Sequence, residues 1–428
     1  MRKISFSAGA SRARFALLFA GLWLLAPILA EAQTWTLQRS AARVLEVSAE
    51  LSGARATAAV QQGELTAAGR WPNPRVEIAV GDRLGRETGD GGWKAQEYAI
   101  AQPIPLGGRL RSDRRAAAQA LSAARAEIGA TALAAEQAAA EAFHQFQRAL
   151  EGVELARSQL DRAQEFREIA QRRAAAGDIA GREALRLEVL AAEAEAAQAD
   201  ALRETAAAAA RFGSLLQLPA QPPVDLPSLT PPAAPPPLAQ LQGQLQEHPA
   251  LRAAQERIEA ARSRLAAARA ARIPDLELRL AREEELFDDG RGSAYSVGIE
   301  VEVPLWNTGR GEVLAGRGEL TRAQEDYRLR LREHQAALAE SYAQLTGLLA
   351  RLARHERQVL EPAQRVLELT RRGYSAGELG LPELIDATEA ERRAATEQRD
   401  LLLRARLQQA QLRRAAGLRL VEPGEDAL

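Results

Sequence analysis

Two turn sequences that lie 200 residues apart, around Gly177 and Gly377, constrain this chain more than any other feature. Long stretches of helix-forming residues flank both turns, and glycine suits the left-handed residue that ends a helix. Gly380 adds a second permissive position to the second turn, and Pro382 suits the first turn of the following helix. The chain is therefore predicted to be an internal duplication of one long helical hairpin.

Composition excludes several classes of protein and of site. The 428 residues include no Cys and a single Met, and the formal net charge is −1. Without Cys there are no disulfides, thiolate metal sites, Cys nucleophiles or lipidated N-terminal Cys. A near-neutral chain gives no electrostatic case for nucleic acid as a partner. Abundant Ala with interspersed Arg and Glu is typical of long helices.

The N-terminus resembles a secretory signal peptide. A basic start is followed by an apolar run from Phe15 to Leu29 and by the small-x-small sequence Ala30-Glu31-Ala32. Cleavage there would leave a mature chain that starts at Gln33. A retained membrane anchor is the alternative, and the short apolar run argues against it. No later stretch is apolar enough for a membrane helix, so a membrane could be crossed only with strands.

Each repeat also contains a predicted β-hairpin with alternating polarity. The clearest strand has apolar Val297, Ile299 and Val301 on one face, and Glu300 and Glu302 on the other. We expect the apolar face, including Leu278 of the preceding strand, to contact lipid. Aromatic residues near the strand ends are expected at the membrane interfaces, as aromatic girdles are: Trp71, Trp93, Tyr295 and Trp306. Four strands cannot close a barrel, so either several subunits share one barrel or the hairpins are soluble.

Very long helices account for most of the remaining chain. The first is predicted from Arg109 to Ala176, about 100 Å long, and a returning helix from Gly181 to Leu216. The second is predicted as one continuous helix from Arg310 to Arg372, followed by a helix that runs back to Ala416. Apolar residues in both long helices recur every seven positions, which indicates a supercoiled seam. In the second helix a single four-residue step, from Tyr327 to Leu331, interrupts this spacing, which then continues through Leu352 to Val359 and Val366.

The predicted organisation has five parts. These are a signal peptide (1–32), a first repeat (33–218), a Pro-rich linker (219–237), a second repeat (238–420) and a disordered tail (421–428). The linker contains nine prolines, which is incompatible with helix or sheet core. The predicted fold class is mainly α with a small β part, an internal duplication with long coiled-coil hairpins and two β-hairpins.

Three motifs carry a family resemblance. Gln102 to Arg109 and Pro304 to Arg310 open the two long helices with similar Pro- and Gly-containing sequences. Tyr374-x-x-Gly377 precedes Glu383-x-x-Asp386 at the second turn. Together these motifs resemble the TolC-type outer-membrane efflux proteins, in particular the branch that serves heavy-metal and related cation pumps. The resemblance covers nearly all of the mature chain.

The resemblance implies a homotrimer in the cell outer membrane that extends into the periplasm. Each protomer would give four strands to a twelve-stranded β-barrel and its helices to a periplasmic α-barrel duct. The family has no catalytic activity and needs no cofactor. It forms the exit channel of a tripartite efflux pump, docked to a periplasmic adaptor and an inner-membrane RND-type pump. Metal cations are among the substrates that this branch implies.

The resemblance also implies roles for residues near the turns. The pore-facing acidic pair falls on Glu383 and Asp386, with Glu183 as the counterpart in the first repeat. The tyrosine that helps to close the duct falls on Tyr374, but the family arginine falls on Leu379, so that polar lock is not reproduced. A ring of such carboxylates would attract cations. The alternative is that Glu383 and Asp386 only stabilise a helix N-terminus.

Small residues at both turns are expected to contact the adaptor. The predicted docking tips are Gly177, Asp178, Ala376, Gly377, Glu378 and Gly380. The alternative is that the glycines only end helices. The competing function is a soluble periplasmic coiled-coil scaffold or adaptor. An enzyme is not predicted, because the sequence contains no nucleophile–base set, phosphate loop or metal cluster. The four histidines show no i, i+4 pairing, so no metal site is predicted.

Overall fold

A computed structural model describes residues 33–83, 93–218, 224–287 and 290–421. The predicted signal peptide, residues 84–92 in the loop of the first β-hairpin, and residues 422–428 of the predicted tail lie outside these ranges. Nine α-helices are found in the described residues: α1 Leu37–Val47, α2 Ala49–Ala67, α3 Arg109–Ala175, α4 Gly181–Leu216, α5 Leu238–Gln244, α6 Pro249–Ala270, α7 Arg310–His355, α8 Glu361–Ala376 and α9 Leu381–Ala415. The strands are β1 Gln33–Thr34, β2 Arg75–Arg83, β3 Trp93–Ile104, β4 Val224–Asp225, β5 Leu276–Phe287 and β6 Gly290–Val301.

The long helices of the first repeat follow the prediction closely. α3 has 67 residues and α4 has 36. The two shorter helical segments, residues 37–67 and 238–270, are each divided. Ser48 ends α1 and caps α2, because its side chain accepts a hydrogen bond from the backbone N–H of Leu51. α5 is followed by a 3-10 turn, Leu245–Glu247, and the side chain of His248 then caps α6, where Pro249 occupies the first turn.

The prediction of one continuous helix from 310 to 372 is wrong. A π-helical turn, Glu356–Leu360, separates α7 from α8, and the N–H of Glu361 bonds to the carbonyl of Glu356. Pro362 explains the interruption, because a proline removes a helix hydrogen bond and clashes with the carbonyl four residues earlier. The extra residue moves the buried seam by one position. Leu367 and Tyr374 are buried, whereas Val359 and Val366 are 46% and 52% exposed.

The two β-hairpins join in one antiparallel sheet of order β2-β3-β5-β6. β3 pairs with β5 from Lys94 opposite Leu286 to Ile104 opposite Leu276, so the sheet connects the two repeats. β2 and β6 are the edges of this sheet. All four connections to helices lie at the same end of the sheet, because Arg75 is opposite Ala101 and Leu276 is opposite Val301.

The Pro-rich segment packs against the helices. Leu229 is buried with Leu352 of α7 and Leu401 of α9. The backbone N–H of Leu229 donates to the Glu151 carboxylate of α3 (2.6 Å), and Arg406 of α9 donates to Thr230. The connector therefore contacts helices of both repeats, which its proline content alone does not indicate.

Candidate functional site: hairpin tips and sheet faces

The two hairpin tips have the same backbone structure. Gly177 and Gly377 both have φ 81°, a left-handed conformation that favours glycine. The N–H of Asp178 bonds to the carbonyl of Arg173 (2.9 Å), and the N–H of Glu378 bonds to that of Gly373 (2.8 Å). Both turns are Schellman motifs, which satisfy the last carbonyls of a helix. The tip residues predicted to dock, including Ala376 and Glu378, are exposed.

Gly380 differs from the prediction of a second permissive backbone position. Its φ is −87° and its ψ is 170°, an extended conformation that any residue adopts. An added Cβ would lie 2.8 Å from the Glu383 carboxylate, which is the movable end of a side chain. Glycine at 380 is therefore not required by its dihedral angles.

Arg173 joins the two tips. It lies in the last turn of α3, and its Nη1 donates to the carbonyl of Tyr374 at 3.1 Å. The guanidinium also lies 5.2 Å from the centre of the Tyr374 ring, within range of a cation–π interaction. Arg371 adds a second connection, an ion pair with Glu165 of α3 (3.2 Å). Arg173 is not among the residues predicted from the sequence, although Arg172-Arg173 precedes the first turn as Arg371-Arg372 precedes the second.

Tyr374, the predicted closing residue, is buried within the chain. It is 1% exposed and packs with Phe166, Leu187 and Leu384. Its hydroxyl has no hydrogen-bond partner among the described residues. Burial raises the pKa of Tyr374, opposed by the charge of Arg173 and reinforced by that of Glu183. Its role in closing the duct stays a prediction.

Leu379, which stands where the family arginine is expected, makes an apolar contact. A Cβ added to Gly373 would lie 2.7 Å from the Leu379 side chain, so Gly373 is the residue that allows this close approach. The segment after the turn is thus held against α8 by packing.

The predicted acidic pair lies on the first two turns of α9. Glu383 and Asp386 are both exposed, and Glu183, in the first turn of α4, is half-buried. Their position near helix N-termini fits the stabilising role that the sequence analysis left open. Their exposure equally leaves them accessible to ions in solution.

The sheet has one apolar face and one charged face. On the apolar face, the predicted residues Val297, Ile299 and Val301 are 72%, 67% and 46% exposed. Leu278, on the inner strand β5, is half-buried between Gln102 and Ile299. On the opposite face Arg279 contacts Glu77 and Glu97, and Arg75 pairs with Glu277. These ion pairs connect the hairpin of the first repeat with that of the second.

The predicted interface aromatics have different positions. Trp71 precedes β2 and is 60% exposed, and Trp306 follows β6 and is 92% exposed. β6 begins at Gly290, so Tyr295 lies within this strand and not at its end as predicted; it is opposite Arg282. Trp93 begins β3, but its side chain lies outside the described part of the structure. A helix long and apolar enough to cross a bilayer is not found in the described residues.

Two histidines that are 86 residues apart in sequence meet between helices, which the i, i+4 criterion could not show. The rings of His248 and His334 lie 4.2 Å apart. His248 Nε2 donates to the carbonyl of Arg414 (3.0 Å), and its Nδ1 accepts from the N–H of Ala250 (3.2 Å). Burial lowers the pKa of both, that of His334 to about 4. In the described residues no group of three His, Cys, Asp or Glu side chains could hold a metal ion.

Comparison with known proteins identifies similar sequences and folds. A family model described as "Outer membrane efflux protein" matches residues 41–216 and 241–418. A crystal structure of CusC is similar with a TM-score of 0.75 at 16% identity, covering 89% of this chain and 92% of that one. VceC from Vibrio cholerae gives a TM-score of 0.75 at 21% identity, with 89% and 96% covered.

The open-state outer membrane channel MtrE of Neisseria gonorrhoeae gives a TM-score of 0.72 at 20% identity, with 90% of this chain and 89% of that one covered. At these identities the structures show a shared fold. No curated protein matches in a direct sequence comparison.

Proposed function

Because the chain belongs to the outer membrane efflux protein family, whose members are transport ducts and not enzymes, we propose that it is the exit duct of a tripartite pump. The protein is an outer-membrane efflux channel. In the proposed pump it receives substrate from an inner-membrane RND-type transporter through a periplasmic adaptor. It acts as a homotrimer.

The two-faced sheet is the observation that carries this proposal. Val297 and Ile299 form part of an apolar face that is largely exposed in the chain, while ion pairs cover the opposite face. Exposed apolar area of this kind marks a surface that meets lipid or another protein. Contact with outer-membrane lipid on the apolar side, and with water on the charged side, accounts for both faces. A soluble periplasmic scaffold would leave the apolar face in water.

Assembly of several copies accounts for the edges of the sheet. β2 and β6 each have one neighbour among the described strands, so each has an unpaired edge. Unpaired edges readily bind another strand. In a homotrimer, β6 of one copy pairs with β2 of the next. The helices, about 100 Å long in the case of α3, then extend from the membrane towards the adaptor.

The tips provide the surface for the adaptor. Both turns expose small residues around Gly177 and Gly377, and little side-chain bulk would oppose the approach of another helical hairpin.

Metal cations are the proposed substrate class. The exposed carboxylates of Glu383 and Asp386, close to the second tip, support cations over anions.

Membrane fractionation and native mass measurement test the proposal together. We expect the full-length protein in the outer-membrane fraction, and a trimer mass after extraction in a mild detergent. Cells that lack it should accumulate a divalent metal ion, and expression of the intact chain should reverse that accumulation. A monomer recovered from the soluble periplasm would contradict the duct. A correctly located trimer without any effect on metal content would contradict only the substrate.

A further inference from the structure

The internal repeat indicates how one copy should contact the next near the tips. Within the chain, α3 packs against both α4 and α9, and α9 packs against α8. Along their length the four helices thus form a layer in the order α4, α3, α9, α8, and at the tips the side chains of Arg173 and Arg371 also connect α3 with α8. Because the turns at Gly177 and Gly377 and the helix starts at Gly181 and Leu381 are each 200 residues apart, positions near the tips correspond by adding 200.

The inner contact of this layer, between α3 and α9, is apolar near the tips. Phe166 of α3 is fully buried, and Ile169 of α3 and Ile385 of α9 pack against the same cluster. One helical turn farther from the tip, Arg162 of α3 forms an ion pair with Glu391 of α9 (3.1 Å). This contact joins the first repeat to the second inside one chain.

The corresponding residues on the two outer helices are apolar but uncovered. Val366 and Leu369 of α8 correspond to Phe166 and Ile169, and they are 52% and 66% exposed. Leu185 of α4 corresponds to Ile385 and is 61% exposed. The ion pair is not repeated, because its counterparts are Pro362 and Ala191, and Ala191 is buried within its own chain. Apolar residues at these positions need a partner.

We propose that α8 of one copy packs against α4 of a second copy through Val366 and Leu369 on α8 and Leu185 on α4. This proposal rests on the proposed homotrimer and adds the residues that join its copies near the tips. Between two chains, Val366 and Leu185 would make the apolar contact that Phe166 and Ile385 make within one chain. Since the two surfaces differ, the interface is heterologous, and successive copies close into a ring. Val366 of one copy then meets Leu185 of the next, never another Val366.

Disulfide cross-linking tests this interface directly, because the natural chain contains no Cys. We would compare Leu185→Cys with Val366→Cys in one chain, each single variant, and Arg186→Cys with Val366→Cys. Arg186 is an exposed neighbour on a different side of α4 and serves as the matched control. Oxidation of outer-membrane vesicles, followed by non-reducing electrophoresis and native mass measurement, gives the result.

We expect loss of the monomer band and formation of covalent dimers and trimers only for Leu185→Cys with Val366→Cys. Equal cross-linking of the Arg186→Cys control would overturn the assigned face. Dimers formed by Val366→Cys alone would show an isologous contact and overturn the proposal. A native trimer without cross-linking of the double variant would overturn this interface but leave the proposed function intact. A monomeric native mass would overturn both.

Discussion

At the scale of single residues, neighbouring positions on β6 face different surroundings. Ile299 lies opposite Leu278 on the apolar face, and Glu300 lies opposite Glu277 on the charged face. Because successive side chains of a strand point to opposite sides of a sheet, substitutions at adjacent positions can test the two faces with the same introduced residue.

Ile299→Arg should destabilise the protein by about 2–4 kcal/mol if this position lies at the bilayer midplane. The cost arises because a guanidinium would replace an apolar group in contact with acyl chains. Glu300→Arg should have a much smaller effect, since that side chain lies on the charged face, which we propose to be in water. Denaturant unfolding of the protein in lipid vesicles measures both free energies. Equal losses for the two variants would show that the faces are wrongly assigned.

Buried histidines should make stability depend on pH. Burial lowers the pKa of His144 from 6.5 to about 4, so the folded state favours the neutral ring. The contribution of the neutral His144 ring to the free energy of unfolding is complete above pH 6.5. It is lost between pH 6.5 and about 4, because in this range only the unfolded chain gains a proton. That loss is at most about 3 kcal/mol.

His144 and His334 lie on helices, outside the strands that we propose to contact lipid, so thermal unfolding in detergent can follow this effect. His144→Gln should reduce the fall of the unfolding midpoint between neutral and acidic pH. His334→Gln should act in the same direction but less, because His334 is half-exposed and solvent screens its charge. An unchanged pH profile in both variants would assign the acid sensitivity to other groups.

At the scale of elements, the sequence predicted the repeated helices and turns well because local signals define them. The five-residue break between α3 and α4 follows from Gly177, and the bounds of α4 agree with the prediction. The π turn was not predicted, because the sevenfold spacing continues past Pro362 to Val366 and indicates one helix, and the effect of Pro362 itself was not considered. The pairing of β3 with β5 and the contact of His248 with His334 depend on the tertiary fold, which no local pattern contains.

At the tips, a larger side chain can be introduced without changing the backbone of the turn, which tests whether the tips bind the adaptor. Ala376→Trp adds a large side chain at an exposed helical residue next to Gly377. We expect the variant to assemble normally but to lose chemical cross-linking to the adaptor and most export. Ser375→Trp would be less informative, because the Ser375 hydroxyl bonds to the carbonyl of Arg371. Normal export by Ala376→Trp would show that the tips only end helices.

At the scale of the whole molecule, the tip contacts differ from those that the resemblance implies. Leu379 packs against Gly373, and Arg173 of the first hairpin holds the Tyr374 backbone of the second. The contact between hairpins is therefore made within the chain and leaves Glu383 and Asp386 exposed. In the proposed homotrimer, every copy contributes this pair of carboxylates near one axis.

A ring of carboxylates near the narrow end of a duct should favour cations over anions through long-range attraction. Glu383→Ala combined with Asp386→Ala should therefore move the reversal potential of single channels towards zero in a salt gradient, while adaptor cross-linking stays intact. Glu361→Ala, which removes an exposed carboxylate farther from the tip on α8, serves as the control and should leave the potential unchanged. The difference should be large near 0.1 M salt and small near 1 M, because the screening length falls from about 10 Å to about 3 Å. A double variant that keeps the full cation preference would leave Glu383 and Asp386 with the helix-stabilising role alone.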